Sequence, residues 1–191
     1  MTVFKKIGER GVMTIYRLIR EEVEAPEVGD QVEITINGET YTATVIKKNT
    51  DKAICLLDEC ICRMAMNEEG TTEGGYLASE VRKYLHKLEK TIPDCEKLVL
   101  DENGDRLHLL SLADVFGYDD DFNSVTEPIP WMKDRSHRVA HMHGDESDSA
   151  YWWLRDPVSA SHFALVGSYG LAGYSHAADT WFGVRPAFGI C

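Results

Sequence analysis

Residues 151–191 read YWWLRDPVSASHFALVGSYGLAGYSHAADTWFGVRPAFGIC, and their composition differs from that of the chain before them. After Glu146 the sequence contains no Lys, Glu, Gln or Met. Small and hydroxyl-bearing residues take their place, interrupted by single aromatic residues and histidines. This mixture is typical of an adaptable recognition surface, where aromatic rings give contact area at low entropic cost. The alternative from composition alone is a glycine-rich run of turns between short strands.

Both ends of this segment look more rigid than its middle. Residues 151–155 and residues 183–188 each place bulky apolar side chains beside a single arginine. We expect core strands at both places, in which each guanidinium group finds a fixed partner. Arg155 and Arg185 are therefore predicted to be structural hydrogen-bond donors rather than ligand clamps.

Length and charge limit the classes of protein to consider. A chain of 191 residues fits one domain, or one domain with an appendage, and can bury a sizeable core. The formal net charge of −12 argues against nucleic acid or an anionic membrane as a partner. Most of this charge precedes residue 147, so the C-terminal segment should present a nearly neutral surface that binds by shape and hydrogen bonds.

The cysteines and the lack of long apolar segments bear on location. An odd number of cysteines without C-x-x-C spacing indicates a reducing compartment. They are Cys55, Cys60, Cys62, Cys95 and Cys191. The opening MTVFKKIGERGVM does not resemble a signal peptide, and no segment is apolar enough to span a membrane. We expect a protein that is cytoplasmic as synthesised, or associated with a virion.

The N-terminal region shows helical spacing. Apolar residues recur from Val12 to Val23 with charged residues opposite them, which predicts an amphipathic helix over residues 12–24, ended by Pro26. We therefore divide the chain into an N-terminal helix and linker, residues 1–26, and one domain, residues 27–191. The apolar face of the helix docks on its own domain or pairs with another subunit in a homo-oligomer.

Strand patterns follow. Alternating apolar residues over 32–36 and 41–45 flank Asn37-Gly38, which predicts a two-residue hairpin with a type I′ turn. Residues 53–57 are apolar on both faces, as in an inner strand, and complete a three-stranded meander.

The middle of the chain carries two helix signals. A helical apolar face over residues 77–88 has Ser79 as its predicted N-cap, after a loop over residues 67–75. Ser111 and Asp114 resemble a capping box that opens a short helix over residues 112–116. Between these helices, residues 97–100 and 107–110 flank a turn and predict a second hairpin.

Residues 117–150 show no regular spacing of apolar residues, and they contain the residues that could bind a metal. His137, His141 and His143 could in principle ligate zinc, and Asp119–Asp121 could bind calcium. Solvated loop residues are the favoured reading of both, so we assign no metal. Motifs of catalysis, such as G-x-S-x-G, a phosphate loop or H-E-x-x-H, are missing from the sequence.

Several segments together resemble a known family. WWLRDP at residues 152–157, GVRPAF at 183–188, LASEVRKYLHKL at 77–88 and LHLLSLADVFGY at 107–118 resemble C-type-lectin-like domains of bacterial and phage proteins, particularly the variable proteins of diversity-generating retroelements. The resemblance implies an α+β, C-type-lectin-like fold with small mixed or antiparallel sheets, two or three helices and long loops.

The resemblance also implies how the C-terminal segment varies. In such systems a template is copied with errors at adenines, so AAC codons become NNC codons, which cannot encode Lys, Glu, Gln, Met or Trp. The absence of the first four residues after Glu146 agrees with this mechanism. Trp181 cannot come from such a codon and would be a fixed residue.

Ligand-facing and scaffold positions follow from the same resemblance. The implied ligand-facing residues are Val158, Ala160, Ser161, His162, Ala164, Leu165, Tyr169, Leu171, Gly173, Tyr174, Ser175, His176 and Asp179, with Trp181 and Phe182 as further aromatic anchors. The implied scaffold residues are Trp152, Trp153, Leu154, Val166, Gly183, Val184, Arg185 and Phe188.

The expected function is non-catalytic recognition of a protein or glycan ligand, without a cofactor. The alternative is a structural or assembly protein of a phage particle with the same fold and no selected ligand site. The fold family also includes the formylglycine-generating enzymes, which use a pair of active-site cysteines. Cys191 is the last residue here and the other four cysteines lie within the first 95 residues, so no motif supports that enzymatic role.

Overall fold

A computed structural model describes residues 3–5, 12–16 and 26–191, with side chains for residues 26–191 except Glu146. Within these residues the chain combines three α-helices with fourteen strands, an α+β architecture. The helices are α1 (Gly75–Ala78), α2 (Glu80–Glu89) and α3 (Leu112–Phe116). The strands are β1 (Val3–Lys5), β2 (Val12–Tyr16), β3 (Gln31–Ile36), β4 (Glu39–Lys48), β5 (Ala53–Leu57), β6 (Cys62–Arg63), β7 (Leu107–His108), β8 (Ala140–Met142), β9 (Asp145–Ala150), β10 (Trp152–Pro157), β11 (His162–Val166), β12 (Ala172–His176), β13 (Gly183–Val184) and β14 (Ala187–Ile190).

The strands form two large sheets and one small one. The first sheet has the order β1-β2-β3-β4-β5-β14-β7, and the second has the order β12-β11-β10-β13-β6. Strands β8 and β9 pair with each other. The described helices include none that is long and apolar enough to cross a membrane.

The predicted meander is confirmed. Strands β3 and β4 pair antiparallel up to Ile36 and Glu39, so Asn37 and Gly38 are the two turn residues. Their φ angles of 53° and 83° are both positive, as a type I′ turn requires. Side chains of β3 alternate between buried and half-buried, and β5 lies between β4 and β14 as an inner strand.

The end of the chain closes the first sheet. Strand β14 pairs antiparallel with β5 on one side and with β7 on the other. All four of its residues are buried, and Phe188 is fully buried in the core. The last strand of the domain therefore joins segments that lie about 80 and 130 residues earlier in the sequence.

Two adjacent tryptophans connect the second sheet to both sides of the core. Trp153 packs with the residues of β3, β4, β5 and α2, whereas Trp152 packs in the cluster that contains α3. The indole N–H of Trp152 donates to the Arg138 carbonyl (2.8 Å), and that of Trp153 donates to the Met64 carbonyl (2.9 Å). Successive residues of a strand point to opposite faces, so Trp152 and Trp153 of β10 pack into different core clusters.

Both arginines of the C-terminal segment have the structural partners that were predicted. Arg185 is buried, donates from Nε to the Leu57 carbonyl (2.7 Å), and lies 5.0 Å from the centre of the Trp152 ring. Arg155 donates to the Glu102 carboxylate (2.9 Å). Burial lowers the pKa of Arg185 because it destabilises the charged guanidinium group. The contacts of this group with the Leu57 carbonyl and the Trp152 ring partly offset that cost.

Both helix caps predicted from the sequence are confirmed. The Ser79 side chain accepts a hydrogen bond from the Arg82 backbone N–H at the start of α2. Ser111 and Asp114 form a complete capping box at the start of α3. The Asp156 carboxylate accepts from the Leu112 N–H (2.7 Å), which ties the start of α3 to β10.

The N-terminal helix predicted over residues 12–24 is wrong over Val12–Tyr16. These residues form β2, which pairs parallel with β3. The sequence VMTIY is rich in β-branched and aromatic residues, and pairing with β3 supplies hydrogen bonds that the apolar spacing alone does not reveal. Residues 17–24 lie outside the described residues, and oligomerisation through this region stays a prediction.

The second predicted hairpin is also wrong. Residues 97–100 and 107–110 share a turn, in which the Asp101 N–H donates to the Asp105 carbonyl (2.8 Å). Beyond it, however, Val99 pairs with Gly189 and Leu107 pairs with Phe188. The two arms lie beside β14 because a strand from the distant C-terminal segment supplies both with a partner.

Residues 117–150 are more ordered than predicted. Residues 130–133 and 135–138 form short 3₁₀-helices, and β8 and β9 form a hairpin. Backbone hydrogen bonds hold this hairpin against the rest of the domain. The Cys60 N–H donates to the His141 carbonyl (2.8 Å), and the His143 N–H donates to the Cys60 carbonyl (2.9 Å).

A buried carboxylate fixes α2 to the turn at residues 101–105. The Asp105 side chain is fully buried and accepts hydrogen bonds from Arg82 Nε (2.7 Å) and Nη2 (2.8 Å). His86 Nε2 lies 2.6 Å from the same carboxylate. Burial disfavours the charged form, but the hydrogen bonds from Arg82 and His86 outweigh it and hold the pKa of Asp105 below its usual range.

We expect Asp105→Asn to lower the free energy of unfolding by about 3 kcal/mol, because Arg82 loses its buried counter-charge. Lys83→Gln, which breaks an exposed pair with Glu80, is the control and should cost less than about 0.5 kcal/mol. Urea denaturation measures both. Because the pKa is depressed in the folded state, the stabilisation is present above the unfolded pKa of about 3.9 and is lost as the pH falls through the folded pKa. A difference between wild type and Asp105→Asn that did not shrink below about pH 4 would contradict this explanation.

Candidate ligand-binding surface

The edge hairpin of the second sheet carries most of the predicted site residues. Strand β12 is the outermost strand, and its register with β11 pairs His162 with His176 and Ala164 with Tyr174. The Gly167 N–H donates to the Leu171 carbonyl (2.7 Å) and closes the loop between the two strands. The hairpin is joined to the domain through β10, whose side chains are buried on both faces over Trp152–Leu154.

An open groove of about 300 Å³ lies along this hairpin. We call it the aromatic groove, and it is lined by Tyr151, Leu165, Gly167, Ser168, Tyr169, Leu171, Ala172, Gly173, Tyr174 and Phe182. Tyr169 and Tyr174 are 70% and 61% exposed. A Cβ atom at Gly173 would lie 3.2 Å from Leu165 Cδ1, so the missing side chain leaves room above Leu165.

Ring contacts fix the wall of the groove that faces the core. Phe182 packs edge-on against the buried Trp153 ring, with centroids 4.7 Å apart. Tyr151 packs against the other side of Phe182 at 5.9 Å. Aromatic pairs at these distances and tilts are stabilising, so this wall is held before a ligand arrives. The neighbouring Trp181 is 75% exposed.

A polar patch adjoins the groove, formed by Ser159, Ser161, His162 and His176. The His162 and His176 rings are 5.5 Å apart, and His162 Nδ1 lies 2.9 Å from Ser161 Oγ. Ser175 Oγ donates to the Asp179 carboxylate (2.5 Å). Tyr174 packs edge-on against His162 at 5.7 Å, which joins the polar patch to the aromatic groove.

A loop far away in sequence supports the polar patch. Thr72 Oγ1 donates to the Ser159 carbonyl (2.6 Å), and the Asn67 N–H donates to the Ala177 carbonyl (2.9 Å). A Cβ atom at Gly70, which has φ of 71°, would lie 2.5 Å from His176 Cε1. Glycine is thus required where the loop and the imidazole approach closely. The sequence predicted a loop here but gave no signal of these contacts.

The structure places most of the predicted site residues on the edge hairpin of the second sheet, with Tyr174 and His176 on the face opposite to Gly173 and Ser175. The exposed ones are Ala160, Tyr169, Leu171, Tyr174, His176 and Trp181. The half-buried ones are Val158, Ser161, His162, Gly173, Ser175, Asp179 and Phe182. The lining residues that sequence reasoning did not include are Tyr151, Gly167, Ser168 and Ala172.

Two of the predicted ligand-facing residues do not reach the surface. Ala164 is 0% exposed and Leu165 is 4% exposed. Both lie on β11, whose two faces are covered by the two core clusters. Ala164 is therefore removed from the binding surface, and Leu165 contributes to the floor of the groove. All eight predicted scaffold residues are buried.

His137, His143 and Asp119 have structural contacts, whereas His141 Nδ1 is buried without a hydrogen-bond partner among the described residues. His137 stacks on Trp131 with centroids 3.9 Å apart, and His143 Nδ1 lies 2.6 Å from Glu59. The Asp119 carboxylate accepts from the Asn123 N–H (2.8 Å). Among the residues whose side chains are described, no group of three or more His, Cys, Asp or Glu residues is arranged to hold a metal ion.

These features define an α+β domain with an aromatic groove at the edge of its second sheet. The chain belongs to the family described as "Domain of unknown function (DUF6273)", whose sequence pattern matches residues 51–191. The matched region begins just before β5 and ends just after β14, so it contains both the groove and the closing strand pair. No curated protein and no solved structure matches the chain.

Exposed groove residues should be exchangeable without loss of the fold. We expect Tyr169→Ala to change the free energy of unfolding by less than about 0.5 kcal/mol, because the side chain is mostly in solvent. Phe163→Ala, on the adjoining strand, should cost about 3–5 kcal/mol because it empties a fully buried site. Chemical denaturation of both variants checks this, and equal losses would contradict the division into surface and scaffold.

Proposed function

We propose that the protein is a non-catalytic ligand-binding protein that recognises a protein or glycan through the aromatic groove and the polar patch. The observation that carries this proposal is the exposure of Tyr169 and Tyr174, both of which line the aromatic groove. Exposed aromatic residues of this kind are unusual on a surface without a partner and are enriched where binding energy concentrates. Rigid strands behind them let side chains change while the fold is kept.

The charge of the surface favours recognition by shape. The segment after Glu146 contains Arg155 and Arg185 as its only Lys or Arg residues, and both point to structural partners. The aromatic groove is lined by no charged side chain. Stacking on the tyrosines would give contact area, and the serines and histidines of the polar patch would supply hydrogen bonds to hydroxyl or amide groups.

The finer part of the proposal is that the domain has a C-type-lectin-like fold and is diversified by a retroelement. Two features support it. The first and last strands of the family region, β5 and β14, pair with each other beside small sheets, short helices and long loops. Most residues implied to vary are also exposed or half-buried, such as Tyr174 and His176, whereas the implied scaffold residues, such as Trp153 and Val184, are buried.

The environment of the cysteines supports a role without thiol chemistry. Burial raises the pKa of Cys60 to about 12 and also raises the pKa of Cys55 and Cys62. These side chains are protonated thiols at neutral pH and therefore poor nucleophiles. Cys191, the last residue of the sequence, is exposed. None of the five cysteines is in a disulfide.

We expect the double variant Tyr169→Ala/Tyr174→Ala to lose ligand binding while remaining folded. Purified protein is screened against a printed array of oligosaccharides and a yeast-displayed library of folded protein domains. Any binder recovered should bind the double variant at least about tenfold more weakly, because the exposed rings supply most of the contact area. Val28→Ala, an exposed apolar residue that does not line the groove, is the control and should bind normally.

Light scattering on the same proteins distinguishes ligand recognition from the alternative function, assembly of a phage particle. Recognition predicts that the double variant keeps the oligomeric state of the wild type and loses the binder. If no binder is recovered and the double variant instead dissociates an oligomer, the groove is an assembly surface and the proposal fails.

Retroelement diversification predicts a particular feature of the neighbouring DNA. We expect a near-copy of the bases that encode the C-terminal segment, differing at adenines, close to a reverse transcriptase gene. Sequencing the locus checks this directly. A locus without such a copy would overturn diversification while leaving ligand binding open to the array experiment.

A further inference from the structure

A second cavity, separate from the aromatic groove, lies against the first sheet. It has a volume of about 210 Å³ and shares no lining residue with the groove. We call it the Arg155 cavity. Its apolar wall is formed by Ile54 of β5, Gly189 of β14, and Leu110 and Ile129. Its volume corresponds to about seven water molecules, which suits a small organic molecule.

Charged groups of both signs also line this cavity, three of them cationic and three of them carboxylates. Lys47, Lys52 and Arg155 line it. Within residues 26–191, for which side chains are described, neither lysine has a salt-bridge partner. Arg155 pairs with the exposed Glu102 (2.9 Å) and also lies 3.8 Å from the nearly buried Asp101 carboxylate.

Two carboxylates of the cavity already accept hydrogen bonds from other groups of the protein. Asp114 accepts hydrogen bonds from the backbone N–H and the hydroxyl of Ser111. Asp101 accepts from the N–H groups of Asn103 and Asp105. These hydrogen bonds leave the carboxylates charged, so Asp101, Glu102 and Asp114 balance the three cationic groups of the lining, and the two lysines are the cationic groups without an ion pair among the described residues. The nearby carboxylates disfavour a ligand with two negative charges.

A buried histidine adds an unused hydrogen-bonding group. His108 of β7 lines the cavity and is 8% exposed. Its Nδ1 has no hydrogen-bond partner among the described residues. Burial lowers the pKa of His108, so the ring is neutral at pH 7 and carries one donor and one acceptor. A buried polar atom without a partner costs stability, and a ligand in the cavity offers the imidazole a partner.

We propose that the Arg155 cavity binds a small amphipathic monocarboxylate. The apolar body lies on Ile54, Leu110 and Ile129, and the carboxylate is held by Lys47 and Lys52, beside the paired Arg155. The His108 ring donates or accepts one further hydrogen bond. This combination of apolar walls with a few converging polar groups is typical of small-molecule sites. The site does not depend on the function proposed for the aromatic groove.

Calorimetry with hexanoate, octanoate and benzoate tests the proposal on the full chain. We expect at least one of them to bind with 1:1 stoichiometry and to raise the melting temperature. Hexanol and hexylamine have a similar apolar body without the negative charge, and inorganic phosphate has the charge without the body. All three should bind at least about tenfold more weakly.

Variants separate this cavity from other anion sites. Lys47→Gln/Lys52→Gln, which leaves the Arg155 pairs intact, should weaken carboxylate binding at least about tenfold, and Arg155→Gln should weaken it in the same direction. Lys97→Gln removes an equal charge from an exposed pair outside the cavity and should change nothing. The Tyr169→Ala/Tyr174→Ala protein should bind the carboxylate normally, since those residues line the other site.

Three results would overturn the proposal. One is that none of the three carboxylates binds. Another is that hexanol or hexylamine binds as tightly as hexanoate, which would mean an apolar cavity only. The third is that binding is unchanged in both Arg155→Gln and Lys47→Gln/Lys52→Gln, which would place the carboxylate elsewhere on the protein.

Discussion

The rest of the structure depends on the pairing of β14 between β5 and β7. This strand lies near the end of the family region. It pairs with β5 on one side and with β7 on the other, so it joins these two strands into one sheet. Immediately before it, the buried Arg185 donates to the Leu57 carbonyl and packs over Trp152. The same short segment, Gly183–Ile190, therefore closes the first sheet and fixes it to the second.

This closure explains why the edge hairpin can carry a binding surface. Strand β10 is held on both faces by Trp152 and Trp153, and β11 pairs with it as an inner strand. Strand β12 is an edge strand, and the exposed Tyr174 and Tyr169 lie on it and on the loop before it. The Arg155 cavity lies instead beside β14 and β7, in the first sheet. The two sites are thus built on different sheets of one scaffold.

Local signals predicted the elements whose hydrogen bonds are local. The Asn37-Gly38 turn, the Ser79 cap and the Ser111–Asp114 capping box each involve residues within three or four positions of one another, and all three are confirmed. The buried ends of the C-terminal segment were predicted for a similar reason, since bulky apolar residues must leave water wherever they pack. Tyr169, Tyr174 and Trp181 between them are exposed, and their role in binding stays a prediction.

Other features depended on partners far away in the sequence. VMTIY became a strand because β3 lies beside it, and residues 97–110 left their own hairpin because β14 offered both arms a partner. Ala164 has the same small side chain as exposed Ala160 but lies on an inner strand. The sequence by itself determined the caps, the turn, the buried ends and the recognition-like composition, because those follow from short-range geometry and side-chain chemistry. Only the tertiary structure decided which strand covers which, and hence where the groove and the cavity lie, because strand pairing joins residues whose separation leaves no local pattern.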